Sequence, residues 1–176
     1  IRKAQGDIAI FSAEPTNVRW IGNEKGIAGD PVWHKVNPDK IRNNPSNSYL
    51  NHGDPEGKQY SVGEADVSIR SGWFYHDNQE PKSLRELMDI YFKSVGRGTP
   101  LLLNIPPNKS GLIHENDCRR LKEFSTYLKN TFEKDYLKRG RTRWEALSGT
   151  SKEYMVRKDA LVNTFMIQED ITKGQR

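Results

Sequence analysis

Residues 83–105, Ser83-Leu-Arg-Glu-Leu-Met-Asp-Ile-Tyr-Phe-Lys-Ser-Val95-Gly-Arg-Gly98-Thr-Pro-Leu-Leu-Leu-Asn-Ile105, decide the fold class. Leu84, Leu87, Met88, Tyr91, Phe92 and Val95 recur with the 3.6-residue period of one helix face, and Ser83 with Glu86 has the spacing of a capping box. The reading is a helix over 83–95, stopped by Gly96 and Gly98, because glycine closes a helix in the left-handed conformation without steric cost. Residues 99–105 then read as a strand apolar on both faces, as in a parallel sheet covered by helices. Pro106 and Pro107 stop it, since proline has no N–H for a ladder.

Working outward, Cys118, Leu121, Phe124, Leu128 and Phe132 predict a second helix over 115–132. Upstream, residues 66–69, with 73–75 beyond Gly72, give an extended segment. Residues 7–11, Asp-Ile-Ala-Ile-Phe, read as a short buried strand, and residues 18–22 as its extension or a second short strand. Between Gly26 and Gly63, Pro31, Pro38, Pro45 and Pro55 stand among Gly and Asn, the chemistry of a long loop of the kind that carries function. Strand, loop, strand, helix, strand, loop, helix is the rhythm of an α/β barrel or a doubly wound sheet. After Lys134 the pattern changes. Residues 144–147 and 161–167 are β-branched, aromatic and partly alternating, and read as strands of another module with nothing after the last to cover it. The expected division is 1–134, an α/β catalytic portion, and 135–176, a linker and a partial C-terminal β domain.

A length of 176 residues suits one ordinary core, while 34% hydrophobic residues and a mean hydropathy of −0.85 call for extensive polar loops. Four Trp and 10% aromatics exclude a disordered chain. No run approaches the roughly 18–20 apolar residues of a membrane helix, so no spanning helix is expected. The 28 Lys and Arg are interspersed with 23 Asp and Glu. Lys134, Lys138, Arg139, Arg141 and Arg143 cluster, but Asp135 and Tyr136 interrupt them, and the reading is solvated surface rather than a nucleic-acid site. A single cysteine, Cys118, allows no internal disulfide or thiolate metal site, and its place in an apolar stripe makes it a core residue. The chain opens on Ile1 with no basic-then-apolar leader before residues 7–11, and reads as cut from something longer or processed.

Glu24 directly follows the end of an expected strand, and in α/β barrels the loops after the strands form the active face. Flanked by Trp20 and framed by Gly22 and Gly26, its carboxyl group can be partly desolvated, which suits it to deliver a proton; the competing reading is a solvated glutamate paired with Lys25. Glu64 and Asp66 are either a second catalytic carboxylate or ion-pair partners of Arg70. Trp73, Phe74, Tyr75 and His76 form an aromatic wall suited to the C–H faces of sugars or simply to packing. His34, His52, His76 and His114 show no metal-ligand spacing, and no nucleotide-binding glycine run or nucleophile elbow occurs, so no metal and no cofactor are expected.

Three segments then resemble the α-L-fucosidases of glycoside hydrolase family 29: residues 7–11 with Val18-Arg-Trp-Ile-Gly-Asn-Glu24-Lys-Gly-Ile-Ala-Gly-Asp-Pro31, then Glu64-Ala-Asp-Val-Ser-Ile-Arg-Ser-Gly-Trp-Phe-Tyr-His76, then Leu101-Leu-Leu-Asn-Ile-Pro-Pro-Asn-Lys-Ser-Gly-Leu-Ile113. The resemblance covers residues 7–133. It implies the later part of a (β/α)8-like barrel followed by an incomplete C-terminal β-sandwich piece, with the N-terminal part of the barrel missing. It also implies a retaining hydrolase of terminal α-1,3/1,4-linked fucose, acting on fucosylated oligosaccharides or glycoconjugates, with no nucleic-acid or membrane partner. A secreted or cell-surface setting is favoured over a cytoplasmic one. The Trp-x-Gly-Asn-Glu motif makes Glu24 the general acid/base. Arg19, Asn23, Glu64, Trp33 and Trp73 follow as substrate contacts, with Asp30 and His34 beside Trp33 in the acceptor loop, while Asn104 and Asn108 fix backbone around the proline pair. The family's nucleophile is an Asp in a Trp-x-Asp segment on an earlier strand, and no such segment precedes Glu24. The implied activity therefore excludes the 176-residue chain alone. The alternative is a non-catalytic carbohydrate-binding or interaction domain.

Overall fold

Alternation along one seven-residue strand sets the architecture. The computed structural model describes residues 1–11, 17–136, 149, 151, 153–156 and 159–168. Within them run β1 (Val18–Trp20), β2 (Lys35–Val36), β3 (Gln59–Tyr60), β4 (Val62–Ser68) and β5 (Leu101–Asn104), with helices α1 (Arg2–Gln5), α2 (Pro38–Arg42), α3 (Asn47–His52), α4 (Leu84–Ser94) and α5 (Glu115–Phe132). β1, β4 and β5 form a sheet in that order, both pairings parallel, with Trp20 opposite Glu64, Asp66 opposite Leu102 and Ser68 opposite Asn104. Side chains alternate along a strand, so Gly63, Ala65 and Val67 turn to one face while Glu64, Asp66 and Ser68 turn to the other. The first set is buried: Val67 and Ile90 of α4 both lie against Gly26, while Gly63 lies against Ile21 and Arg19. Polar Glu64 and Asp66 on the second face are half-buried.

The capping box at Ser83 forms as read, with Glu86 N–H donating to Ser83 Oγ at 3.2 Å and Ser83 N–H to Glu86 Oε2 at 2.7 Å. The helix ends through a turn of 3₁₀ helix, Val95–Arg97, and a left-handed Gly98. Its buried stripe is Leu87, Met88, Ile90 and Ser94, whereas Phe92 and Val95, expected in the core, are 42% and 37% exposed. The difference arises because α4 touches two neighbours: Ile90 faces the sheet, and Tyr91 meets Phe124 and Phe132 of α5 at ring distances of 6.1 and 6.0 Å.

Other expectations are corrected. Residues 26–63 are not a plain loop; they hold α2, α3 and the antiparallel pair β2–β3. Two of their polar residues are N-caps: Asn37 Oδ1 accepts from Asp39 N–H and Ser46 Oγ from Tyr49 N–H, with Pro38 in the first turn of α2. Residues 7–11 form no buried strand. Among the described residues of this stretch only Phe11 bridges, to Val18, and it is 58% exposed; the Ile10 N–H donates to Asn17 Oδ1 and its carbonyl accepts from Asn17 N–H. Residues 73–75 are not extended strand: β4 ends at Ser68 and a bend runs over 69–74. Cys118 is exposed because the first turn of α5 points Asp117, not Cys118, inward. Residues 161–167 form no strand and expose Leu161, Phe165, Met166 and Ile167, with no partner ladder among the described residues. Residues 144–147 and four of the basic cluster, Lys138, Arg139, Arg141 and Arg143, lie outside the described residues.

Candidate active site

Glu24 sits in a tight turn leaving β1. Gly22 and Gly26 on either side have φ of +79° and +69°, and a Cβ at Gly22 would lie 2.6 Å from the Asn47 carbonyl oxygen, so only glycine fits between β1 and α3. Asn23 braces the turn from within, donating to the Ile27 carbonyl at 2.9 Å and accepting from Lys25 N–H at 3.0 Å. Asn51 of α3 donates to the carbonyls of Ile21 and Ile27, and Gly26 N–H to the Asp66 carbonyl at 2.9 Å. The turn is thus pinned to β4 at the residue whose side chain faces the polar side of the sheet.

Two tryptophan–carboxylate bonds define the site. Trp73 Nε1 donates to Glu24 Oε2 at 2.7 Å, and Trp20 Nε1 donates to Asp66 Oδ1 at 2.7 Å. Glu24 and Trp73, chosen from sequence 49 residues apart, are brought together. Glu24 is exposed rather than half-dry; the half-buried carboxyls are Asp66 and Glu64. Burial pushes the Asp66 carboxyl above its ordinary value, the Glu24 charge adds to this, and the Trp20 bond opposes it. Burial and then the Asp66 charge push Glu64 up as well. Asn104, at the end of β5, donates to Ser68 Oγ at 3.1 Å and to the Trp73 carbonyl at 3.0 Å, so it orders the Trp73 segment rather than the proline pair. Asn108 does hold the turn after the prolines, its Oδ1 accepting from Ser110 and Leu112 N–H.

Four residues expected at the sugar fall elsewhere. Arg19 is 2% exposed and turned to the helix side of β1, where it donates to the carbonyls of Leu50, Ser61 and Trp33; it clamps backbone and is removed from the site. Trp33 is half-buried on that same side, its own carbonyl the one that accepts from Arg19. His34 is buried, its Nε2 3.0 Å from the Gly98 carbonyl, and Asp30 pairs with Arg97 at 3.3 Å. Arg70 pairs with neither Glu64 nor Asp66 but with Asp117, at 2.9 Å. The roles of Trp20 and Asp66 were visible in one signal, the alternation Glu64, Asp66, Ser68 against Gly63, Ala65, Val67. Among the described residues no group of three or more His, Cys, Asp or Glu is placed to hold a metal ion.

The raised carboxyls make a stability prediction. Below their unfolded values, 3.8 for Asp66 and 4.5 for Glu64, both states are protonated and neither group weakens the fold. As pH rises toward the higher folded values, the unfolded chain ionises first, and stability is lost through that window. Asp66→Asn and Glu64→Gln are each expected to raise the melting temperature at pH 7 and to flatten its fall between mildly acidic and neutral pH. Melting curves identical to wild type across that range would contradict it.

A parallel sheet with a carboxylate turn and tryptophans at the carboxyl ends of its strands, and acidic groups along its polar face, has the features of an α/β glycosidase. The alpha-L-fucosidase family model matches residues 22–133. The chain is 44% identical over 133 residues to Alpha-L-fucosidase 1 of Arabidopsis thaliana, covering 75% of this chain and 26% of that protein. It superposes on the crystal structure of SpGH29 with a TM-score of 0.75 at 60% identity, over 78% of this chain and 30% of that one. A GH29 fucosidase of Ruminococcus gnavus, solved in complex with fucose, matches with a TM-score of 0.69 at 42% identity, over 77% and 28% of the two chains. This chain belongs to the alpha-L-fucosidase family, glycoside hydrolase family 29. It spans about a quarter of the length of the curated relatives it matches.

Proposed function

We propose that this chain supplies the acid/base side of a retaining α-L-fucosidase that removes terminal α-1,3- or α-1,4-linked fucose from branched glycans. Its sheet forms part of a (β/α)8-like barrel, and the protein works at the cell surface or in the secreted fraction. The observation that carries the reading is the Glu24 carboxylate held by Trp73 where the parallel strands end. Trp73 occupies Oε2, which leaves Oε1 to carry the proton. Glu24 protonates the departing glycosidic oxygen and then, as carboxylate, draws the proton from the water that opens a fucosyl–enzyme ester. The fucose ring or its methyl group packs on the Trp73 indole. The nucleophile faces Glu24 from about 5–5.5 Å across the sugar. No Trp-x-Asp segment precedes Glu24, so the 176-residue chain by itself does not turn over.

The polypeptide as encoded by its gene, given an aryl α-L-fucoside in an NMR tube, is expected to release α-L-fucose first, with the β anomer appearing only by mutarotation. On branched trisaccharides it should release α-1,3- and α-1,4-linked fucose ahead of α-1,2-linked fucose. First release of the β anomer, or turnover by the 176-residue chain alone, would overturn the corresponding part of the proposal.

A further inference from the structure

Residues 71–82, between β4 and α4, contain neither helix nor strand, yet they must deliver one indole N–H to one oxygen of another turn. Arg70, immediately before this segment, is a buried charge, 1% exposed. Its Nε donates to Asp117 Oδ2 at 2.9 Å, its Nη1 donates to the carbonyls of His76 and Gln79, and its guanidinium carbon lies 4.7 Å from the centre of the Tyr75 ring. Trp73 lies between the residues so joined. Asp117, on the first turn of α5, is 0% exposed, and its Oδ1 has no hydrogen-bond partner among the described residues. The carboxylate is therefore held through the guanidinium. A buried ion pair contributes little net stability over an apolar pair of the same volume, but a planar guanidinium fork fixes directions that apolar contacts leave loose.

We propose that Asp117 is a positioning residue: through Arg70 it sets the segment that brings the Trp73 indole onto Glu24. The proposal rests on the reading of Glu24 given above. Asn104 holds the Trp73 carbonyl itself, Asn116 holds the Glu80 carboxylate, and Lys82 Nζ closes the far end on the Ser68 and Arg70 carbonyls at 2.7 and 2.9 Å; the Arg70 fork is what ties the His76 and Gln79 carbonyls between them back to the end of β4. A misplacement of about 1 Å in such a contact can cost up to 10²-fold in rate.

The test uses the polypeptide as encoded, labelled with [15N-indole]tryptophan, with the Trp73 resonance assigned by Trp73→Phe. In Asp117→Asn the Trp73 indole signal is expected to move to the position it takes in Glu24→Ala. Trp20 and Trp33 should stay in place, and kcat should fall about tenfold or more with KM unchanged. Arg70→Lys, which keeps the charge and loses the fork, should move the same signal. A Trp73 signal unmoved in both variants, or all three indoles shifting together in both, would overturn the proposal, the second outcome marking general support of the fold. Wild-type hydrolysis by Glu24→Ala would instead remove the functional reading, while the indole signals would still decide whether Asp117 governs Trp73.

Discussion

Glu24→Ala in the polypeptide as encoded is expected to lower kcat/KM on a fucosylated glycan by about 10²–10⁴-fold, the range that a general acid/base contributes. The loss should be much smaller on an aryl fucoside whose phenolate departs without a proton, because the first step then needs no acid. The second step still lacks a base for water, so a fucosyl–enzyme ester accumulates and turnover stalls. Azide needs no deprotonation and should restore it. Attack on the ester from the face that Glu24 occupies gives α-L-fucosyl azide; the β azide would make Glu24 the nucleophile instead, and a wild-type rate would deny it any role. The structure adds a second expectation. Since Trp73 Nε1 donates to Glu24 Oε2, Trp73→Phe leaves the carboxylate in place without its donor, and should fall between wild type and Glu24→Ala.

The parts of this molecule that sequence disclosed are those with local signatures. Ser83 and Glu86 are three residues apart and see each other in any helix, and Gly98 and Pro106 bracket β5 from both sides. α2 and α3, five and six residues long, are too short to show an apolar period, and α3 buries no residue at all, so their caps Asn37 and Ser46 passed for loop. The motif singles out Glu24, but neither its exposure nor its bond from Trp73 shows in the local sequence, because Trp73 stands 49 residues further on. Arg70 with Asp117 joins positions 47 apart, a pairing that no spacing rule announces. Arg19 was legible in principle: once Trp20 faces Asp66, its neighbour in the strand must face the helices.

That parity carries the last prediction. Arg19→Met keeps the length of the side chain and removes its donors, stranding the carbonyls of Leu50 in α3, Ser61 beside β4 and Trp33 before β2. Burial lowers the Arg19 pKa to about 10, so at pH 7 the guanidinium is still charged and all of its donors are present. A buried polar group left unsatisfied costs about 1–3 kcal/mol. Three together cost about 3 kcal/mol or more even when relaxation lets water reach one of them, which for a chain of this length lowers the melting temperature by roughly 6–12 °C. Arg19→Lys reaches one carbonyl at most and should recover only part of the loss. In the polypeptide as encoded, KM for fucoside of the folded fraction should equal that of wild type, because Arg19 lies on the far side of β1 from Trp20 and Asp66. A KM rise at unchanged melting temperature would return Arg19 to the sugar and overturn its place as the clamp that holds residues 33–61 to the strand carrying Glu24.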